Sequence, residues 1–141
     1  GLLVLDSTLP LPAELRSIWR DAARTLEAGP YDEVFPGIES PFFIESEQGE
    51  LQDSILAAMR AQPSSVAIGL LDEVCSYDWD RELVGIDVPV HMVASEHGTL
   101  DLEAFHGYVP DATSERIKDS GHFITVFHPD RVEQAMCRMM Q

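Results

Sequence analysis

The residues best placed to do chemistry are Asp119-Ser120-Gly121-His122-Phe123, followed closely by His128-Pro129-Asp130-Arg131-Val132. A Gly-His pair that follows a short strand and precedes a helix puts an imidazole at the carboxyl edge of a sheet, where open α/β sheets place their ligands. Histidine titrates near neutrality, so His122 there can take up a proton and return it. Other candidate constellations are weaker. Asp78, Asp80 and Glu82 alternate, but a calcium loop also needs a glycine at its turn and a bidentate glutamate at its end. His91, His97, His106 and His128 lack metalloprotease spacing, so no metal and no cofactor are expected. Cys75 and Cys137 fall in predicted helices and read as small, reduced core residues rather than nucleophiles or a disulfide framework.

The elements that must position this imidazole follow from apolar periodicity. Residues 1–6 (GLLVLD) read as a strand buried on both faces. Leu15, Ile18, Trp19, Ala22 and Leu26 make one face of a helix that Gly29-Pro30 stops. Residues 30–49, dense in proline, glycine and aromatics, read as irregular. A helix from about Glu50 to Ala61 presents Leu51, Ile55 and Met59, and Ser64 or Ser65 is expected to cap another that runs to about Val74. Asp78-Trp79-Asp80 opens a loop to a second strand, Val88–Ala94, with Pro89 tolerated at its entry. A short helix over 101–108, a strand over Thr113–Lys118 and a last helix from Pro129 follow, the last burying Val132, Ala135, Met136 and Met139.

Strands alternating with helices predict an α/β fold with a parallel sheet and right-handed crossovers. Three strands alone make a poor two-sided sheet, and the chain opens on an apolar run without an initiator Met or a charged signal start. The expectation is therefore the C-terminal portion of a longer protein, whose exposed GLLVLD edge promotes self-association.

Gly121-His122-Phe123, with Pro129 and Val132 at their spacing, and the lead-in Leu83-Val84-Gly85-Ile86-Asp87-Val88-Pro89-Val90 resemble the C-terminal half of the α/β-hydrolase superfamily. The resemblance covers essentially the whole chain. It implies a core strand over 1–10, a helical cap over 11–82 and the last core strands and helices over 83–141. It also implies that His122 is the general base that activates a nucleophile. The superfamily's G-x-S-x-G elbow is missing, because no serine here has glycines two residues away on both sides. The nucleophile and the oxyanion-hole loop are thus expected upstream of Gly1, and this chain alone is expected to be inactive.

The acid is displaced too. Where the superfamily has G-x-x-D, this chain reads Ser95-Glu96-His97-Gly98, and Gly98 cannot orient an imidazole. Asp101 lies three residues later and would serve on a longer loop. Asp6 stands at the alternative acid site that some members use, and it is favoured because it directly follows a buried strand. Glu96 is the least favoured, and the plain reading of Asp6 is a carboxylate that caps the following turn. A carboxylate is needed in any case to hold the Nδ1–H of the base.

With 9 Lys+Arg against 25 Asp+Glu the formal net charge is −16, and Lys118 is the only lysine. Such a chain repels phosphate backbones and anionic membranes, so neither nucleic acid nor membrane is an expected partner, and the protein reads as cytoplasmic. The runs Glu45/Glu47/Glu50 and Asp72/Glu73 read as solvated faces. Trp19, Phe35, Phe42, Phe43, Met59 and Trp79 are candidates to line an apolar pocket, although Trp19 on the helical stripe is better read as core. The expected activity is hydrolysis of an ester or related bond in a small apolar substrate. The alternatives are a cofactor-free dioxygenase, a haloalkane dehalogenase, or a non-catalytic hydrolase-like binding domain.

Overall fold

The computed structural model describes residues 1–98 and 101–139. The chain divides into two compact units. The first holds Gly1–Pro10, Ile44–Glu47 and the chain from Asp78 onward; the second holds Leu11–Phe43 and Gln48–Tyr77.

The first unit is built on three parallel strands, β1 (Leu2–Leu5), β2 (Val90–Ser95) and β3 (Thr113–Ile117), in the order β1-β2-β3. Leu5 pairs with Val93, and Ser95 with Ile117. The central strand is apolar almost throughout because both of its faces are covered. Met92 and Ala94 face a core with Leu83, Val90, Phe105, Val109 and Ala112. Val93 turns the other way, into Ile117, Ile124, Val132 and Ala135. Burying a side chain as large as Phe105 contributes about 1.5–3 kcal/mol. The helices that cover these faces are α5 (Trp79–Val84) and α6 (Leu102–Tyr108) on one side, and α7 (Ile124–Phe127) and α8 (Pro129–Met139) on the other.

Three sequence expectations change in this unit. β1 is not buried on both faces: among the described residues it is an edge strand, Leu2 is exposed and Leu3–Leu5 are half-buried. The Asp78-Trp79-Asp80 stretch starts a helix rather than a loop, because the Asp78 side chain caps α5 by accepting the Arg81 amide at 3.3 Å. Met136 is 49% exposed, so the buried stripe of α8 narrows to Val132 and Ala135.

The second unit contains α1 (Ala13–Ala28), α2 (Tyr31–Glu39), α3 (Glu50–Arg60) and α4 (Ser64–Ser76), with a 3₁₀ turn over Ser40–Phe42. α1 packs on α4 and buries Ala23 and Leu26; Ile18 is exposed, so the predicted stripe is rotated. The Arg16 and Arg20 guanidinium groups donate to the Cys75 carbonyl at 2.7 and 3.2 Å, placing positive charge at the C-terminal end of α4, where the helix dipole favours it. The stretch read as irregular contains α2. Of its prolines, Pro30 precedes the first turn and Pro41 lies in the 3₁₀ turn, so Pro36 alone interrupts the helix. Tyr31 and Phe35 stack one turn apart at 4.7 Å and support it. Neither Ser64 nor Ser65 caps α4; Pro63 occupies that position, and its carbonyl accepts the Val66 amide at 2.8 Å. Among the described residues no helix is long and apolar enough to cross a membrane.

Candidate active site

Asp6 sits where β1 runs out. Its amide donates to the Val93 carbonyl at 2.8 Å, extending the parallel ladder by one residue, and the backbone then turns with φ at 40°. That left-handed conformation is costly for most side chains but tolerated by aspartate, and it aims the carboxylate across the carboxyl end of β2. Asp6 is 5% exposed. Its Oδ1 accepts from both the backbone amide of Ser95 at 2.6 Å and the Ser95 hydroxyl at 2.8 Å. Its Oδ2 lies 2.9 Å from His122 Nδ1. An ionised carboxylate can only accept, so the imidazole donates Nδ1–H, which leaves Nε2 as the ring atom that can take a proton. Burial pushes the Asp6 carboxyl up, but the hydrogen bonds from His122 and Ser95 and the His122 charge outweigh it and hold its pKa below the ordinary value.

The loop that carries His122 is pinned on both sides. Asp119 also adopts a positive φ of 52°, and its amide donates to Glu96 Oε2 at 2.7 Å. Ser120 is fully buried: its hydroxyl donates to the Ile117 carbonyl at 2.7 Å and accepts the Glu96 amide at 3.2 Å. Downstream, Ile124 is buried in the second core and its amide donates to the His122 carbonyl at 3.0 Å. The Phe123 ring meets the imidazole edge-on at 5.3 Å.

Sequence reasoning misses one residue here outright. Glu47, expected on a solvated face, is 5% exposed; its Oε1 accepts the Gly121 amide at 2.8 Å and its Oε2 the Ile44 amide at 3.2 Å. Nothing in the spacing of Glu45, Glu47 and Glu50 distinguishes the one that turns inward. Ser95 is missed too, although its position at the last residue of a buried strand, beside a candidate acid strand, is a usable signal.

The other candidate acids are engaged elsewhere. Asp101 is exposed and caps α6 by accepting the Ala104 amide at 2.9 Å. Glu96 is exposed and holds Asp119. Gly98 explains why the usual acid position is empty of a side chain. A Cβ there would collide with the Ser95 hydroxyl and stand 2.5 Å from Asp6 Oδ1, so the space is already filled by these two side chains.

The cysteines divide: Cys75 is buried, whereas Cys137 is exposed on α8 and is not a core residue. Among the described residues no cluster of three or more His, Cys, Asp or Glu could hold a metal. The second unit carries an open pocket of about 250 Å³ lined by Leu26, Tyr31, Phe35, Phe42, Met59 and Leu71 among others. Phe35, Phe42 and Met59 thus line a pocket as the sequence suggests, and Trp19, Phe43 and Trp79 are not part of its wall.

No family model and no curated relative matches the chain. Solved structures do. It superposes on the structure of MenH from S. aureus with a TM-score of 0.74 at 18% identity, covering 96% of this chain and 56% of that one. A hydrolase from Pseudomonas aeruginosa PA01 gives 0.77 at 14%, covering 99% and 54%. A thermophilic esterase from Thermogutta terrifontis gives 0.75 at 20%, covering 99% and 55%. The chain therefore spans about half the length of the structures it matches, and over that span its fold is that of the α/β-hydrolases.

Proposed function

We propose that this chain is the acid- and histidine-bearing C-terminal half of a hydrolase that cleaves an ester or related bond in a small apolar substrate. The observation that carries the reading is the Asp6–His122 pair, 2.9 Å apart, with the other Asp6 oxygen doubly held by Ser95. Such a pair fixes the imidazole so that Nε2 accepts a proton. In the proposed reaction a serine outside this chain attacks the substrate carbonyl as its hydroxyl proton passes to His122 Nε2. Asp6 stabilises the imidazolium. The same proton then goes to the leaving alkoxide, and water repeats the sequence to release the acid and restore the serine. Helices α1–α4 would act as the cap that selects the substrate. The apolar pocket among them supports an apolar ligand, and the two free thiols fit a reducing, cytoplasmic setting.

The first test is to read the coding DNA upstream of Gly1 for an in-frame G-x-S-x-G, and to assay the protein that includes it against p-nitrophenyl esters of increasing chain length. Burst release of p-nitrophenol that disappears in His122→Ala is expected. Oxygen uptake without ester cleavage would instead assign a cofactor-free dioxygenase. A folded protein active in neither assay would assign a binding domain. For the 141-residue chain alone, concentration-dependent self-association through the β1 edge is expected in sedimentation; a monomer at all concentrations would remove that edge as a contact surface.

A further inference from the structure

We propose that Glu47 is a positioning residue for His122, which holds the backbone of the histidine loop rather than the imidazole. The proposal rests on the reading of His122 as the proton acceptor. Three observations support it. Glu47 is buried, and each of its two oxygens receives one backbone amide, from Gly121 and from Ile44. Gly121 is itself buried and is the residue immediately before His122. The His122 side chain, by contrast, is 44% exposed, so packing alone does not fix it and its direction depends on the backbone that carries it. Ser120 anchors the loop on one side and Ile124 on the other. Glu47 holds the residue between them.

The chemistry demands a glutamate. The two amides reach different oxygens of this side chain, and only a carboxylate offers an acceptor at both positions. A glutamine would satisfy one amide and turn its own N–H₂ toward the other, and an alanine would leave the buried Gly121 amide and the half-buried Ile44 amide without this acceptor. Glu47 also belongs to the short Ile44–Glu47 segment that lies, in sequence, between two stretches of the second unit. The histidine loop therefore depends on a residue of its own unit that lies far from it in sequence, between β1 and α5.

The test uses the 141-residue chain and reads the histidine directly. Two-bond ¹H–¹⁵N NMR spectra, recorded where the imidazole is neutral, report which ring nitrogen carries the proton. The wild-type chain is expected to hold His122 as the Nδ1–H tautomer, donated to Asp6. Glu47→Ala is expected to lose that preference in favour of the Nε2–H form that free imidazole adopts in water, with Glu47→Gln intermediate. Backbone amide spectra of β2 and β3 should stay unchanged. A wild-type tautomer ratio in both variants overturns the proposal. So does loss of the folded spectrum in both, which would make Glu47 a structural residue only. A wild-type chain that is itself predominantly Nε2–H faults the Asp6–His122 pairing and not the Glu47 clamp, so the two failures are distinguishable. In the hydrolase assay the expected signature is a fall in kcat at unchanged KM.

Discussion

Two buried carboxyl groups, one in each unit, show what distinguishes a built site from an incidental burial. Asp6 is 5% exposed and meets three donors: the Ser95 amide, the Ser95 hydroxyl and the His122 ring. Glu39 is 1% exposed and meets one, the Arg60 guanidinium at 3.2 Å; among the described residues its other oxygen has no partner, nor has the buried hydroxyl of Tyr31. Burial pushes both carboxyls up. In Asp6 the donors reverse that and hold the acid ionised; in Glu39 burial wins over Arg60 and the pKa stays raised. Both carboxyls are almost fully covered, so the donor set decides the outcome. A charge kept at depth by a complete donor set is a preorganised device, whereas a half-satisfied one is a liability.

The largest expected effect comes from breaking the complete set. With its Oδ1 taken by two Ser95 donors, Asp6→Asn must turn its amide N–H₂ toward His122, which forces Nδ1 to accept and puts the ring proton on Nε2, the wrong place for a base. In the proposed hydrolase kcat should fall roughly 10⁴-fold with KM little changed. Stability should respond with a definite sign. The folded pKa of Asp6 is lowered, so its contribution is present above the ordinary carboxyl value of 3.8 and is lost as pH falls through the folded value. Urea denaturation between neutral pH and pH about 3 should show that acid loss in the wild-type chain and a smaller one in Asp6→Asn.

An intermediate effect is expected from crowding the same carboxylate. Gly98→Ala would place a methyl 2.5 Å from Asp6 Oδ1 and should destabilise the chain by about 1–3 kcal/mol, read as a lower Tm. Emptying the space first should rescue it: in an Asp6→Gly/Ser95→Ala background, which removes both colliding groups, Gly98→Ala should cost clearly less than in the wild type. Additive losses would mean that these positions do not share that space.

The smallest effect should come from the incomplete set. Arg60 is 41% exposed and remains solvated without its partner, so Glu39→Gln should leave stability at neutral pH unchanged or raise it by up to about 1 kcal/mol. The sign is opposite to that for Asp6. A raised folded pKa gives a contribution present below the ordinary value of 4.5 and lost as pH rises through the folded value. The advantage of Glu39→Gln over the wild type should therefore open as pH increases from about 4 to 7. A gap that instead widens toward acid would show that Arg60 outweighs burial.

Much of this fold is legible in local sequence pattern. The β1 and β2 segments, the helix after Pro129 and the Gly121-His122 loop follow from continuous apolar runs, one proline at a favoured first turn, and a Gly-His between strand and helix, whereas β3 (TSERI) carries little apolar pattern of its own. Helix α2 is hidden because proline density does not say where in a turn each proline sits, and only Pro36 falls inside. Met136 and Ile18 lie on apolar stripes yet are exposed, because helical periodicity marks a face without saying how wide its cover is.

By itself the sequence determined the parallel α/β order, the strong acidity, an aspartate at the end of an apolar strand and a histidine in the loop after a short strand. These depend on neighbours in the chain, and short-range physics is enough to read them. Only the tertiary structure decided which carboxylate meets His122, that Asp6 helps to fill the space beside Gly98, and that Glu47 turns inward to Gly121 while Glu45 and Glu50 stay in water. Each of those is a contact between residues far apart in sequence, some across most of the chain, and a hydrogen bond specifies a distance and an angle that no local pattern carries.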